Sequence, residues 1–206
     1  MTSGSAALGH VRDRVDRALQ AFLGEQREVL LAAGQDLLPV TESISGLLAG
    51  GKRMRPAFCY WGWRGAGGRD CPEIFRAAAS LELLHAGALI HDDLMDASDT
   101  RRGQPSLHRQ FEVRHAQGRW HGSPAAFGMG AAILMGDLLL CWTDEMFHAS
   151  GLPGEAIGSG GQGIGAVTSH GRLSAIRVGR CALSATFSRY RKAAGPVEGV
   201  GPTDGN

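Results

Sequence analysis

The chain has 206 residues, enough for one domain with a sizeable core, and 43% hydrophobic against 20% charged residues is the balance of a soluble globular protein. A formal net charge of +1 leaves no basic field that would argue for nucleic acid. Four cysteines, Cys59, Cys71, Cys141 and Cys181, show no CxxC spacing and read as reduced, buried thiols of a cytoplasmic protein.

Met1 to Ala21 mixes Arg and Asp early and lacks the continuous apolar stretch of a secretory signal. No apolar run reaches the roughly 18 residues of a membrane span. From Val11 to Ala33 apolar residues recur at helical spacing (Val11, Val15, Leu19, Phe22, Leu23, Val29, Leu30) with charges between them, which predicts one long amphipathic helix. A second, short helix ends at Leu47 to Gly51, where two glycines break the chain before Lys52. An apolar pattern resumes at Pro56 to Trp63, and Gly65 to Gly68 is a loop. Asp70, Pro72 and Glu73 form a helix-start signature, and the helix after it runs from Ile74 past Gly87 to about Asp96.

Ser98 to Ser106 and Gly118 to Pro124 read as loops, and Ala125 to Met146 as a helix buried on several sides. No internal repeat and no sustained strand pattern occurs, so the fold class is all-α. Two regions follow: residues 1–153, a helical domain, and residues 154–206, an atypical tail. Ile157 to Val167 is dense in glycine, which raises backbone entropy and offers a helix little to bury, so the tail is expected to be irregular or disordered. Gly158 to Gly163 formally matches GxGxxG, but no strand precedes it and no acidic residue lies about 20 positions on, so it is not read as a dinucleotide site. The abrupt change near Glu155 and Ala156 raises the expectation of a shifted reading frame, with a tail that encodes no selected structure.

The chemistry concentrates at the end of the helix after Pro72. With His85 at zero on a helical wheel of roughly 100° per residue, Asp92 and Asp96 fall about 20° to either side, and Asp93 lies at the edge of that stripe. Two carboxylates one turn apart repel each other unless a cation sits between them. Mg2+ suits such a pair, because it takes one or two carboxylates and completes its octahedron with water and phosphate oxygens. Basic clusters flank the pair: Lys52, Arg53 and Arg55 after the glycine break, and Arg101 and Arg102 after the aspartates. Arg forks take phosphate oxygens bidentately and Lys binds them as a point charge, so two phosphate-bearing ligands are expected.

Gly51-Lys52-Arg53-Met54-Arg55-Pro56 resembles the GKxxRP motif of trans-isoprenyl diphosphate synthases. Leu83-Leu84-His85-Ala86 and Leu89-Ile90-His91-Asp92-Asp93-Leu94-Met95-Asp96 resemble that family's first aspartate-rich motif with its approach helix. Asp99 to Pro105 resembles the arginine loop that follows, and Gly136-Asp137-Leu138-Leu139 a further family segment. The resemblance covers about Val11 to Pro153 and is similar to geranylgeranyl diphosphate synthase. It implies the N-terminal part of an isoprenoid-synthase helical bundle, homodimeric, that condenses isopentenyl diphosphate with an allylic diphosphate. Asp92 and Asp96 would hold Mg2+ on the allylic diphosphate, with Asp93 in support and Arg101 touching the same diphosphate. Lys52, Arg55, His85 and Arg102 would bind isopentenyl diphosphate, while Gly136 and Asp137 are structural. Gly87 and Ala88, small residues before the aspartates, would leave room for a geranylgeranyl or longer chain; close helix packing is the other account of their size.

The family also carries a second aspartate-rich motif. Here no paired aspartates follow Asp93, and Lys192 is the one lysine after Thr143, so impaired activity is the expectation. A non-catalytic partner subunit is an alternative. A class I terpene cyclase is a further one, weakened by Lys52, Arg55 and Arg102, which a cyclase does not need.

Overall fold

The structure, a computed structural model, describes residues 3–153 and 183–191. Helix α1 (Ser3–Ala33) is followed by a 3-10 turn (Gln35–Leu37), α2 (Leu38–Leu48), α3 (Met54–Gly65) and α4 (Pro72–Met95). A two-residue hairpin, β1 (Thr100–Arg101) and β2 (Gln104–Pro105), leads to α5 (Leu107–Gln117) and α6 (Pro124–His148). The final described element is a helix over 183–191, α7. The predicted all-α class holds, and among the described residues the strands amount to one small antiparallel pair.

The predicted stripe of α1 faces inward: Val11, Val15, Leu19, Phe22 and Leu30 are buried. In α2, Val40, Ile44 and Leu48 recur every four residues and are likewise buried, and Pro39 sits in the first turn, where its missing N–H matters least. Gly50 and Gly51 then take positive φ angles of 72° and 100°, a backbone that favours glycine, and turn the chain toward α3. Cys71 rather than Asp70 occupies the N-cap of α4, with Pro72 next. The Cys71 side chain and a backbone amide hydrogen-bond Glu73 and hold its carboxyl below the usual range.

α4 is the central helix, packed against α6, α3 and α1. Its Ala77, Ala78, Ala79 and Ala86 let neighbours approach closely, while Ile74, Phe75, Leu83 and Ile90 fill the core. α6 contributes Phe127, Met135, Leu138, Leu139 and Trp142 to the same core; truncating one of its buried aromatic rings to alanine costs about 3–5 kcal/mol. α6 is also long and apolar enough to cross a membrane by length and composition alone. Its packing against α4 and α5 explains that composition as core-facing.

The tail departs from its predicted irregularity over 183–191. Leu183, Phe187 and Tyr190, spaced four and three residues apart, form a helical stripe. Leu183 and Phe187 are fully buried, and Phe187 lies edge-on to Phe111, Trp120 and Phe127. Tyr190 stands edge-on to Phe127 and His115, and its carbonyl accepts from the His121 amide at 3.4 Å. These nine residues contain no glycine, so the composition of the tail as a whole was a poor guide to them. Residues 154–182 and 192–206, with Cys181, lie outside the described residues. Cys59, Cys71 and Cys141 are free thiols, half-buried rather than buried, and burial pushes Cys59 and Cys141 up from the ordinary thiol value.

Candidate functional site

α4 ends in a left-handed turn. Ala97 has φ 50°, its amide reaches Leu94 O at 3.3 Å, and the Ser98 amide reaches Asp93 O at 2.8 Å, the double closure of a Schellman motif. That ending exposes Asp92 and Asp96 one turn apart. Both lie at the negative end of the helix dipole, and the last turn of α4 holds no basic residue. Among the described residues no hydrogen bond or ion pair engages either carboxylate.

Asp93 differs from its predicted place at the edge of the acidic stripe. It turns into the protein and is 5% exposed. Arg101 grips it with two bonds, Nε to Oδ2 at 2.8 Å and Nη2 to Oδ1 at 2.7 Å. These bonds, and the charges of Asp93, Asp92 and Asp96, raise the Arg101 pKa further above its ordinary value. Arg101 comes from β1, and the hairpin turns through Arg102 and Gly103, both at positive φ (51° and 77°). Two left-handed residues match the twist of a tight hairpin, although Arg102 is strained there where glycine would not be. At the base, Ser106 N and Oγ both donate to the Asp99 carbonyl, and Arg109 bridges Asp99 and Glu112.

On the α2–α3 side, Arg53 adopts φ 51° and buries its guanidinium. It donates to Asp16 at 2.7 Å, to Glu82 at 2.8 Å and to the Leu48 carbonyl at 2.6 Å. Arg53 thereby ties the loop to α1, α2 and α4, and leaves its neighbours Lys52 and Arg55 exposed. Nothing in the sequence separated this arginine from the two beside it. A small hollow of about 20 Å³ lies between Gly51, Arg53, Glu82, His85 and Arg102. A larger groove of about 540 Å³ lies between α2 and the hairpin, with Glu42, Asp93, Arg101 and Arg102 in its walls. His85 has its pKa lowered, first by burial and then by the positive charge of Arg55; Glu82 opposes this, and Arg102 and Arg101 add smaller lowering effects. His91 was not among the predicted residues. Its Nε2 lies 3.3 Å from the Ile133 carbonyl and 3.5 Å from Asp137 Oδ1 on α6.

The model of the polyprenyl synthetase family matches residues 39–157. The chain belongs to the polyprenyl synthetase family. Among relatives, it is 37% identical over 123 residues to geranylgeranyl pyrophosphate synthase 11, chloroplastic, of Arabidopsis thaliana, covering 57% of this chain and 30% of that protein. It is 35% identical to heptaprenyl diphosphate synthase component 2 of Geobacillus stearothermophilus, over 48% of this chain and 33% of that one. Among solved structures, the geranylgeranyl pyrophosphate synthase of Corynebacterium glutamicum, complexed with isoprenyl diphosphate and magnesium, superposes with TM-score 0.61 at 32% identity. That match covers 88% of this chain and 59% of the other. The chain therefore spans about a third of the length of these curated relatives.

This polyprenyl synthetase chain gathers Arg55, His85, Arg101 and Arg102 within one electrostatic neighbourhood, with Asp92 and Asp96 acting on Arg101. Lys52 stands exposed on the loop that borders the small hollow. Gly87 has turned toward α6, where an added Cβ would meet the Gly136 carbonyl at 3.1 Å and Leu139 and Leu140 at 3.4 Å. Close helix packing accounts for its size. Ala88, the next residue, is exposed.

Proposed function

We propose that this chain forms the substrate-binding wall of a prenyltransferase that condenses isopentenyl diphosphate with an allylic prenyl diphosphate. The carrying observation is the pair Asp92 and Asp96 at the negative end of α4, without a hydrogen-bond or ion-pair partner among the described residues and acting by charge on Arg101. Two carboxylates without a basic partner suit a hard divalent cation, and among the described residues no third acidic, His or Cys side chain completes a cage with them. Mg2+ held there in part by substrate phosphates fits that donor set. When bound it would neutralise the charge that develops on the departing diphosphate.

In that reaction the allylic carbon–oxygen bond breaks and diphosphate leaves with the bonding pair. The double bond of isopentenyl diphosphate attacks the allylic carbon, a carbon–carbon bond forms, and a proton is lost. Arg102, Lys52 and Arg55 orient the second diphosphate, and His85, whose pKa is lowered by burial and Arg55, donates an N–H to it. Arg101 orients Asp93 and the hairpin, and through its charge favours an anionic ligand near Asp92. The likeness to geranylgeranyl and heptaprenyl synthases, with a small residue at Ala88, supports a product of geranylgeranyl length or longer.

Incubating the purified chain with Mg2+, isopentenyl diphosphate and a labelled allylic diphosphate tests the proposal. Product from the wild type at a low rate, as the missing second aspartate-rich motif implies, lost in Asp92→Asn and Asp96→Asn and shortened in Ala88→Phe, is the expected result. A second reading, a non-catalytic subunit of a larger synthase, is favoured by Met129, Ile133 and Leu140, which stand exposed on α6 at 51%, 43% and 39%. No product alone, but tight association with a full-length synthase, would select it.

A further inference from the structure

His91 immediately precedes Asp92 yet points the other way, across the gap to α6. Its Nε2 faces two acceptors, the Ile133 carbonyl at 3.3 Å and Asp137 Oδ1 at 3.5 Å, so Nε2 carries the hydrogen and donates it. The ring occupies the space over Gly136. A Cβ added at Gly136 would stand 2.2 Å from Nε2, 2.5 Å from Cδ2 and 2.9 Å from Cε1, distances no real side chain tolerates. Hydrogen bond and steric fit are separate observations that lead to the same seat.

We propose that His91 is a positioning residue, seated over Gly136 and bonded to α6, that sets the rotation of the last turn of α4 and so the direction of Asp92 and Asp96. Among the described residues, the polar links from this turn to another helix of the bundle run through His91. The other strong link, Asp93 to Arg101, reaches only eight residues along the chain into the hairpin. That hairpin is local to the end of α4, whereas Ile133 lies 42 residues away on α6. Fixing residue 91 on α6 and residue 93 on the hairpin leaves the intervening Asp92 little freedom to turn. A displacement of about 1 Å in such a carboxylate is enough to lower a rate on the order of a hundredfold. The consequence for metal and diphosphate rests on the proposed function, whereas the positioning itself does not.

Amide hydrogen exchange of the unliganded full chain provides the test, read at Asp96 and Ser98, whose N–H groups close the turn on Asp92 and Asp93. His91→Ala should accelerate exchange at these amides by about five- to tenfold, the loss of one well-placed hydrogen bond, with Ile74 to Leu83 unchanged. His91→Gln, whose side-chain nitrogen comes near the Nε2 position, should restore most of the protection. Gly136→Ala should expel the ring and mimic His91→Ala, and the double variant should be no faster than either single one. Unchanged exchange in His91→Ala, acceleration spread evenly along α4, no rescue by glutamine, or additive single effects would each overturn the proposal. Adding Mg2+ and inorganic diphosphate to the wild type is a separate arm: no added protection at Asp96 would sink the metal reading while leaving the positioning result intact.

Discussion

Arg101 and Asp93 form a bidentate pair at 2.8 and 2.7 Å, with the carboxylate side chain 6% exposed and the guanidinium 28%. The pair joins the hairpin to the end of α4 and removes the middle aspartate from the acidic face. Arg101→Ala leaves a nearly buried carboxylate without its partner and is expected to destabilise the fold by about 2–4 kcal/mol. Arg101→Lys keeps the charge but not the fork and should recover only part of the loss. Urea unfolding of the two variants beside wild type measures both.

Gly128 and Gly87 both face the backbone of a neighbouring helix, and they should differ in their tolerance of alanine. A Cβ at Gly128 would lie 2.2 Å from the His108 carbonyl and 3.0 Å from the Glu112 amide, both backbone atoms of α5. One at Gly87 would meet the Gly136 carbonyl at 3.1 Å. Gly128→Ala must push two helices apart and should cost about 3 kcal/mol, while Gly87→Ala should cost about 1 kcal/mol. Thermal melts of the two variants should preserve that order.

Ala97 holds the left-handed position that ends α4, at φ 50°. An L-residue with a Cβ is strained there by about 1–2 kcal/mol, and glycine is not. Ala97→Gly should therefore stabilise the protein by about 0.5–1 kcal/mol, after the extra entropy of glycine in the unfolded chain is counted. An equal or lower denaturation midpoint would contradict this account of the turn.

The lowered pKa of His85 has a definite sign for stability. The unfolded chain takes up the proton at the usual imidazole value, and the folded chain only at lower pH. Stability should therefore fall on acidification from about pH 7 toward pH 5, and the fall ends below the folded pKa. His85→Asn should flatten the dependence over that window in denaturation curves at several pH values. A diphosphate beside His85 would raise its pKa again, so ligand binding near pH 6 should take up protons, which calorimetry in buffers of different ionisation heat would register.

Legibility in the sequence followed how local each interaction is. The stripe Val11, Val15, Leu19 and Phe22 and the stop at Gly50 and Gly51 are properties of neighbouring residues, and both were readable. The aspartate helix was readable too, to within a residue at its cap. α7 was hidden because the glycine content around it outweighed the stripe of Leu183, Phe187 and Tyr190, whose value depends on a crevice between α5 and α6 that the sequence does not display. Arg53 was indistinguishable from Lys52 and Arg55, since its burial depends on Asp16 and Glu82 from two other helices.

By itself, the sequence determined an all-α chain with two aspartates a turn apart, basic residues on either side, and motifs that mark the polyprenyl synthetase family. A helix advances by roughly 100° per residue, so spacing alone places Asp92 and Asp96 on one face. Only the tertiary structure decided that Asp93 leaves that face for Arg101, that Gly87 serves α6, and that His91 crosses to Ile133. Those choices depend on what stands opposite each side chain, and packing between distant segments supplies that.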